Sequence, residues 1–235
     1  MTVWNWEGFF SYFTNVYLLE GALVTVALTI LTLVLGLVAA LLLTAMQLAK
    51  GRVLPAIARF YVWVFRGTPL LVQLIIIYTG LPQLGLVRLS VWESAVLGLV
   101  LNEAAYLAEI IRGGLLSVAR TQHDASKALG LRPIQTFGLV VLPQALRVIV
   151  PPLGNSVNGL LKTTSITSVI SMEELLRRGQ ILMQQRFEVL EIFMVVAIVY
   201  LALTTVWELI QNRIERHYGK AYGEVAAKTH ASDRR

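Results

Sequence analysis

Apolar positions run along this chain in long blocks, with polar residues gathered between them. Gly21 to Ala45 carries no charge, Ile57 to Gly80 is apolar apart from Arg59 and Arg66, and Val91 to Ile111 admits only three glutamates. Leu146 to Leu161 is shorter and holds Pro151-Pro152, and Phe193 to Ile210 is the last block. A helix needs about 20 mostly apolar residues to cross a hydrocarbon core. The pattern therefore predicts an all-α membrane protein with about five transmembrane helices.

What lies between the blocks divides the chain further. Residues 1–20 hold Trp4, Trp6, Phe9, Phe10, Tyr12, Phe13 and Tyr17 with few charges, the pattern of an interfacial segment and not of a cleaved signal. Residues 21–214 form the transmembrane domain, and residues 215–235 read as a polar, disordered tail. Arg112 to Pro143 is too long for a simple connection and too regular for disorder. Within it a helical run begins at Thr121 and stops at Gly130, a good C-terminal breaker, and Pro133 starts a second short helix. This exposed helical loop is either a docking surface for another protein or an amphipathic connector resting on the headgroups.

Composition supports the membrane class: 56% of residues are hydrophobic and 14% charged, with a mean hydropathy of +0.68. A soluble domain of 235 residues could not bury that much apolar surface. The absence of cysteine removes disulfide and thiolate chemistry, and His123, His217 and His230 have no ligand spacing, so no metal site is expected. The net charge of +6 is topological and does not imply nucleic acid. Lys50, Arg52 and Arg59, the loop residues Arg112, Arg120, Lys127, Arg132 and Arg147, and the basic tail all fall on one side. Positive residues favour the cytoplasm, which places the N-terminus outside, the C-terminus inside and the helical loop, between the third and fourth spans, in the cytoplasm.

Polar residues inside the spans mark candidate chemistry, because an intramembrane charge is costly and persists where it is shielded or used. Asn102, Tyr106 and Glu109 share one helical stripe, with Glu103 beside it, and Asn155, Asn158 and Lys162 form another. Glu103 and Lys162 match in charge the two ends of a zwitterionic amino acid. Arg66 precedes Gly67-Thr68-Pro69, where proline breaks the second span; it either lines a pathway or pairs with a carbonyl at a helix end. Glu109 and Arg112 read as a local ion pair. The loop from Ser168 to Glu191 contains an amphipathic turn, Met172 to Arg178, that suits either a partner contact or an interfacial helix.

Several linked stretches carry a resemblance. Asp124-Ala125-Ser126, then Gly130, Val140 and Leu142-Pro143 at their spacing, resemble the Glu-Ala-Ala loop of ATP-binding-cassette importer membrane subunits. Arg66 to Leu74, Ala105 to Gly114, Leu142 to Arg147 and Pro151 to Asn155 are similar to the polar amino acid uptake branch, and the likeness runs over roughly Gly21 to Ile214. Departures are Asp124 for Glu, Ser126 for Ala, and Thr163 where many relatives carry aspartate. The resemblance implies a permease subunit of the bacterial cytoplasmic (inner) membrane whose coupling helix, with Asp124, Ala125, Ser126, Gly130, Leu142 and Pro143, engages a separate cytoplasmic ATPase. It also implies an extracytoplasmic solute-binding protein, a second identical or similar permease subunit, and an amino acid substrate that passes Arg66, Asn102, Glu103, Tyr106, Lys162 and Thr163. The chain has no G-x-x-x-x-G-K-[ST] loop, so it is not expected to be an enzyme, and no catalytic residue or cofactor is expected. A second expectation is a non-transporting scaffold or sensor that recruits a cytoplasmic partner; substrate-stimulated ATP hydrolysis separates the two.

Overall fold

The computed structural model describes residues 4 to 232, and these are helical with no strands. A short helix α1 (Trp6–Tyr12) leads into the long α2 (Val16–Gln47). The first span thus starts ahead of Gly21, because the Asn15 side chain accepts from the backbone N–H groups of Tyr17 and Leu18 and starts the helix there. Small residues on one face of α2, Thr25, Thr29, Thr32, Gly36, Ala40 and Thr44, recur every three or four positions and are buried. They let α2 lie close along α6 (Val91–Leu116), where Thr44 Oγ1 donates to the Ala108 carbonyl at 3.2 Å.

The second apolar block is not one straight span. Helix α3 (Val53–Gly67) meets α4 (Leu70–Ile75), a π-turn (Ile76–Gly80) and α5 (Leu81–Gln83) at a bend of 103° across Thr68-Pro69. Proline has no N–H to give, so carbonyls before it lose their helical partners. Two side chains supply substitutes. Gln73 Nε2 donates to the carbonyls of Phe65 and Thr68, and Asn102 Nδ2 donates to Phe65 and to Gln73 Oε1.

After α6, which opens on a Ser90–Glu93 capping box, come α7 (Arg120–Ala128) and α8 (Pro133–Thr136). The helix, turn and helix expected in the loop are present, with Gly130 at φ +75° in the left-handed turn between them. A π-turn (Phe137–Val141), α9 (Leu142–Thr163) and a 3₁₀ turn (Thr164–Ile170) then form a continuous helical stretch from Pro133 to Ile170. The fourth span is accordingly longer than Leu146 to Leu161, and both Pro151 and Pro152 sit inside α9. Helix α10 (Leu175–Arg186) turns at Phe187 into α11 (Val189–Ser232). The tail expected to be disordered from 215 continues this helix as far as Ser232, its last three residues lying outside the described ones; its sequence is rich in Glu, Lys, Arg and Ala and free of proline, a helix-forming composition. Among the described residues four helices are long and apolar enough to cross a membrane, five if the bent pair is one span.

Candidate functional site

The stripe on α6 meets α3 just before the break. Arg66 lies over the Tyr106 ring, 5.3 Å from its centroid, and 3.7 Å from Glu109 Oε2. Arg112 donates twice to Glu109, at 3.0 and 2.7 Å, and Gln47 of α2 donates to the same carboxylate at 3.0 Å. The local Glu109–Arg112 pair is as expected, but the carboxylate also gathers α2 and α3. These groups, with Arg59 and Trp63, line an open cleft of about 760 Å³. Of the expected pathway residues it brings together Arg66 and Tyr106, and Asn102 stands one turn along α6, bonded to the Phe65 carbonyl at the bend between α3 and α4.

Glu103 and Lys162 are not brought together as the two ends of one ligand site. Glu103 is buried against Gly36 of α2 and accepts a short hydrogen bond from the Ser156 hydroxyl of α9. Its position on α6 sets it about 100° round the helix from Asn102 and about 60° from Tyr106, on the flank of the stripe that faces α2 and α9. Lys162 is exposed near the end of α9 and lines a second cleft, about 470 Å³, with Ser165, Ala197, Tyr200, Leu201 and Thr204. Thr163 is half-buried at the last position of α9. Asn155 accepts from Gln211 of α11 at 3.1 Å and so joins two helices.

A third polar centre had no sequence signal. Glu174 is fully buried between the 3₁₀ turn and α10, and its carboxylate accepts from Tyr200 Oη at 2.6 Å and from the backbone N–H groups of Leu176 and Arg177 at 3.0 and 2.8 Å. Thr25 of α2 reaches it at 3.5 Å. One side chain thereby caps α10 and ties it to α2 and α11. Nothing in the run Met172-Glu173-Glu174 distinguishes the second glutamate from the exposed first, and Tyr200 is hidden in an apolar stretch. Gln73 and Gln47 are equally silent in the sequence: amide side chains inside apolar blocks carry no pattern until the fold supplies their partners.

On α7, Asp124, Ala125, Lys127, Ala128 and Gly130 are exposed, and so are Leu129 and Ile134, each 79% accessible. Ser126 instead faces inward, 3% exposed, with its hydroxyl on the Gln122 carbonyl at 2.7 Å. Three residues from Asp124 would have been needed to stay on its face; two residues along, Ser126 has rotated about 200° away. Leu142 is half-buried and Pro143 exposed at the foot of α9.

At the other end, Asn5 and Tyr12 clasp the turn between α10 and α11. The Asn5 backbone N–H donates to Glu191 at 2.9 Å, its amide donates to Glu188 at 2.7 Å, and the Tyr12 hydroxyl makes a short bond to the same carboxylate. The phenol bond and the Asn5 amide hold the Glu188 carboxyl below the usual carboxylate range, while burial first and the Glu188 bond second push the Tyr12 phenol up to about 12.

Known proteins resemble this chain over most of its length. It is 37% identical over 230 residues to the arginine transport system permease protein of Corynebacterium glutamicum, covering 92% of this chain and 73% of that protein. It is 40% identical over 200 residues to the glutamine transport system permease protein of Escherichia coli strain K12, covering 85% and 91%. A crystal structure of an amino acid ABC transporter with histidines superposes with a TM-score of 0.85 at 32% identity, covering 92% of this chain and all of that one. An inward-facing methionine ABC transporter shares the fold, with a TM-score of 0.69 at 21% identity over 86% and 95% of the two chains. Residues 32–220 match the family described as binding-protein-dependent transport system inner membrane component, and the chain belongs to that family.

Proposed function

We propose that this chain is the membrane-spanning subunit of an ATP-driven importer for polar amino acids, set in the inner membrane with its N-terminus outside and its C-terminus inside. The observation that carries the reading is the polar, charge-lined cleft beside a broken span in a chain of this family. Interrupted helices near transport sites leave backbone and side-chain polar groups facing the pathway. Arg66, Asn102 and Tyr106 line that pathway at the seam of α3 and α6, and Lys162 and Thr163 line it on α9. Glu103 acts inside the wall, joining α6 to α9, so its effect on transport runs through helix packing.

Energy enters from a separate ATPase that grips α7, with Asp124, Ala125 and Gly130 on the docking face, Leu129 and Ile134 as apolar knobs, and Leu142 and Pro143 where the hairpin joins α9. Ser126 fixes α7 from below. An extracytoplasmic solute-binding protein delivers the amino acid to the opposite face, and a second permease subunit completes the pathway. Rigid-body rocking of the paired bundles then alternates access.

The test is reconstitution of the chain with its ATPase and binding protein in proteoliposomes. Uptake of a labelled amino acid together with ligand-stimulated ATP hydrolysis is expected. A complex that assembles yet shows neither would leave the scaffold reading.

A further inference from the structure

Two hollows on α11 lie on one path. The deeper, about 260 Å³, is walled by α2, α9 and α11, and its α11 wall is Leu203, Val206 and Ile210. The polar groups around it are already occupied: Thr29 donates to the Thr25 carbonyl and the Trp207 indole to the Gly154 carbonyl, each at 2.8 Å. What remains is hydrocarbon. Ile30 on the α2 wall is exposed and continuous with exposed Leu23 and Val34, in a run from Gly21 to Ala45 that carries no charge. The hollow therefore opens on the apolar outer face of α2.

The second hollow, about 210 Å³, is formed by Leu209, Asn212, Arg213 and Arg216. Spacings of three, four and three residues carry the first wall, Leu203, Val206 and Ile210, on to Arg213 along one stripe of the helix. From Leu203 to Arg213 that stripe is about 15 Å long at 1.5 Å per residue, half of a hydrocarbon core about 30 Å thick. The apolar block ends at Ile210, so the arginines stand at headgroup level and the groove reaches toward the bilayer middle. Neither arginine makes an ion pair among the described residues. Glu208 and Glu215 stand about 120° round the helix from them, and Glu215 is engaged by Gln211 at 2.7 Å.

An occupant of this path must be hydrocarbon at one end and anionic at the other. A second copy of the same face would meet the arginines with arginines and with the uncharged α2. A phospholipid satisfies both ends, since its phosphate takes charge-assisted hydrogen bonds from two guanidinium groups while an acyl chain follows the stripe. Two cations against one phosphodiester favour a headgroup with no ammonium of its own. We infer that this path is a binding site for an anionic phospholipid, its phosphate held by Arg213 and Arg216 beside the Asn212 amide, and one acyl chain laid in the groove of α2, α9 and α11. The leaflet is the one from which α11 emerges, the cytoplasmic one in the orientation proposed above.

Trp207 lines the groove and so reports its occupant. In the full-length chain with Trp4, Trp6, Trp63 and Trp92 replaced by Phe, its fluorescence is followed in phosphatidylcholine vesicles. Phosphatidylglycerol or phosphatidylcholine bearing the same brominated acyl chains is added in rising proportion. The brominated phosphatidylglycerol is expected to quench at a mole fraction about tenfold lower, the scale of two interfacial arginines facing an anionic headgroup. Arg213→Gln with Arg216→Gln removes that preference. Lys50→Gln with Arg52→Gln takes the same charge from the loop between α2 and α3 and keeps it. Equal quenching by the two lipids, a preference that survives loss of both arginines, or one that falls equally with Lys50 and Arg52 overturns the proposal. Absence of quenching by either lipid also overturns it and points to a second copy on this face. The comparison of the two lipids uses the native arginines and stands even if a variant does not fold. Transport enters none of these readouts, so their failure leaves the importer reading untouched, and uptake tests that reading by itself.

Discussion

Helices α7 and α10 are both short elements set outside the long spans, and they are held in opposite ways. Helix α10 is stitched into the bundle: Glu174 caps it and reaches α2 and α11, and Arg178 donates to the Tyr17 carbonyl at 2.9 Å and to Glu20 at 2.7 Å. Helix α7 has no side-chain cap at its start and buries only Ser126. The difference shows which element the chain can hold by itself. A helix of nine residues is marginal in water without packing, so α7 is left with an open face, the one the proposed function assigns to the ATPase, whereas α10 is fixed to the bundle.

The contrast breaks first at Glu174. Glu174→Ala leaves the Tyr200 hydroxyl and two backbone N–H groups without their acceptor, and should cost about 3 kcal/mol, read as a lower midpoint in thermal unfolding of the detergent-solubilised protein. Glu174→Gln retains one acceptor oxygen and should recover part of that loss. An unchanged midpoint for the alanine variant would show α10 to be as loosely held as α7.

Gly130→Glu is next. No atom lies within 4 Å of where its Cβ would stand, so the only folding cost is the left-handed φ of +75°, about 1 to 2 kcal/mol. The variant should insert and assemble but lose ligand-stimulated ATPase activity; full stimulation would remove the α7 hairpin from coupling. Ala125→Leu, on the exposed face, should leave stability within about 0.5 kcal/mol and weaken ATPase binding in a pull-down. If it unfolds the protein instead, that face is not free.

The smallest effect is at the α1 clasp beside α10. Glu188 has a depressed folded pKa, so its contribution is present above the ordinary value of 4.5 and is lost as pH falls below it. Tyr12 has a raised one, so its contribution is intact below 10 and is lost as pH rises toward about 12. Fluorescence from Trp4 and Trp6, with the other tryptophans replaced by Phe, should shift in both limbs. Tyr12→Phe should abolish the alkaline limb; a limb that persists would place its cause elsewhere.

Much of this arrangement was legible in the chain. Apolar blocks of span length give the helices, Thr68-Pro69 gives the break, and Gly130 followed by Pro133 gives the α7–α8 hairpin, because each depends on local sterics or on block length alone. Boundaries were less legible. Asn15 starts α2 before Gly21 through a side-chain cap, a contact of one residue that a block of hydropathy does not register.

Partnership among the polar residues required the fold. Spacing on α6 put Asn102, Tyr106 and Glu109 on one stripe and Glu103 beside it, but charge sign alone paired Glu103 with Lys162. Helical rotation aims Glu103 at Gly36 and Ser156 and leaves Lys162 open on another surface. Arg66 reaches Glu109 across 43 positions of sequence, and Glu174 reaches Tyr200 across 26. The sequence by itself determined a helical membrane protein, its break and its exposed hairpin, since periodicity and hydropathy act within a few turns. Which charges are paired and which stand open was decided only by the tertiary structure, because that depends on how separate helices are rotated against one another.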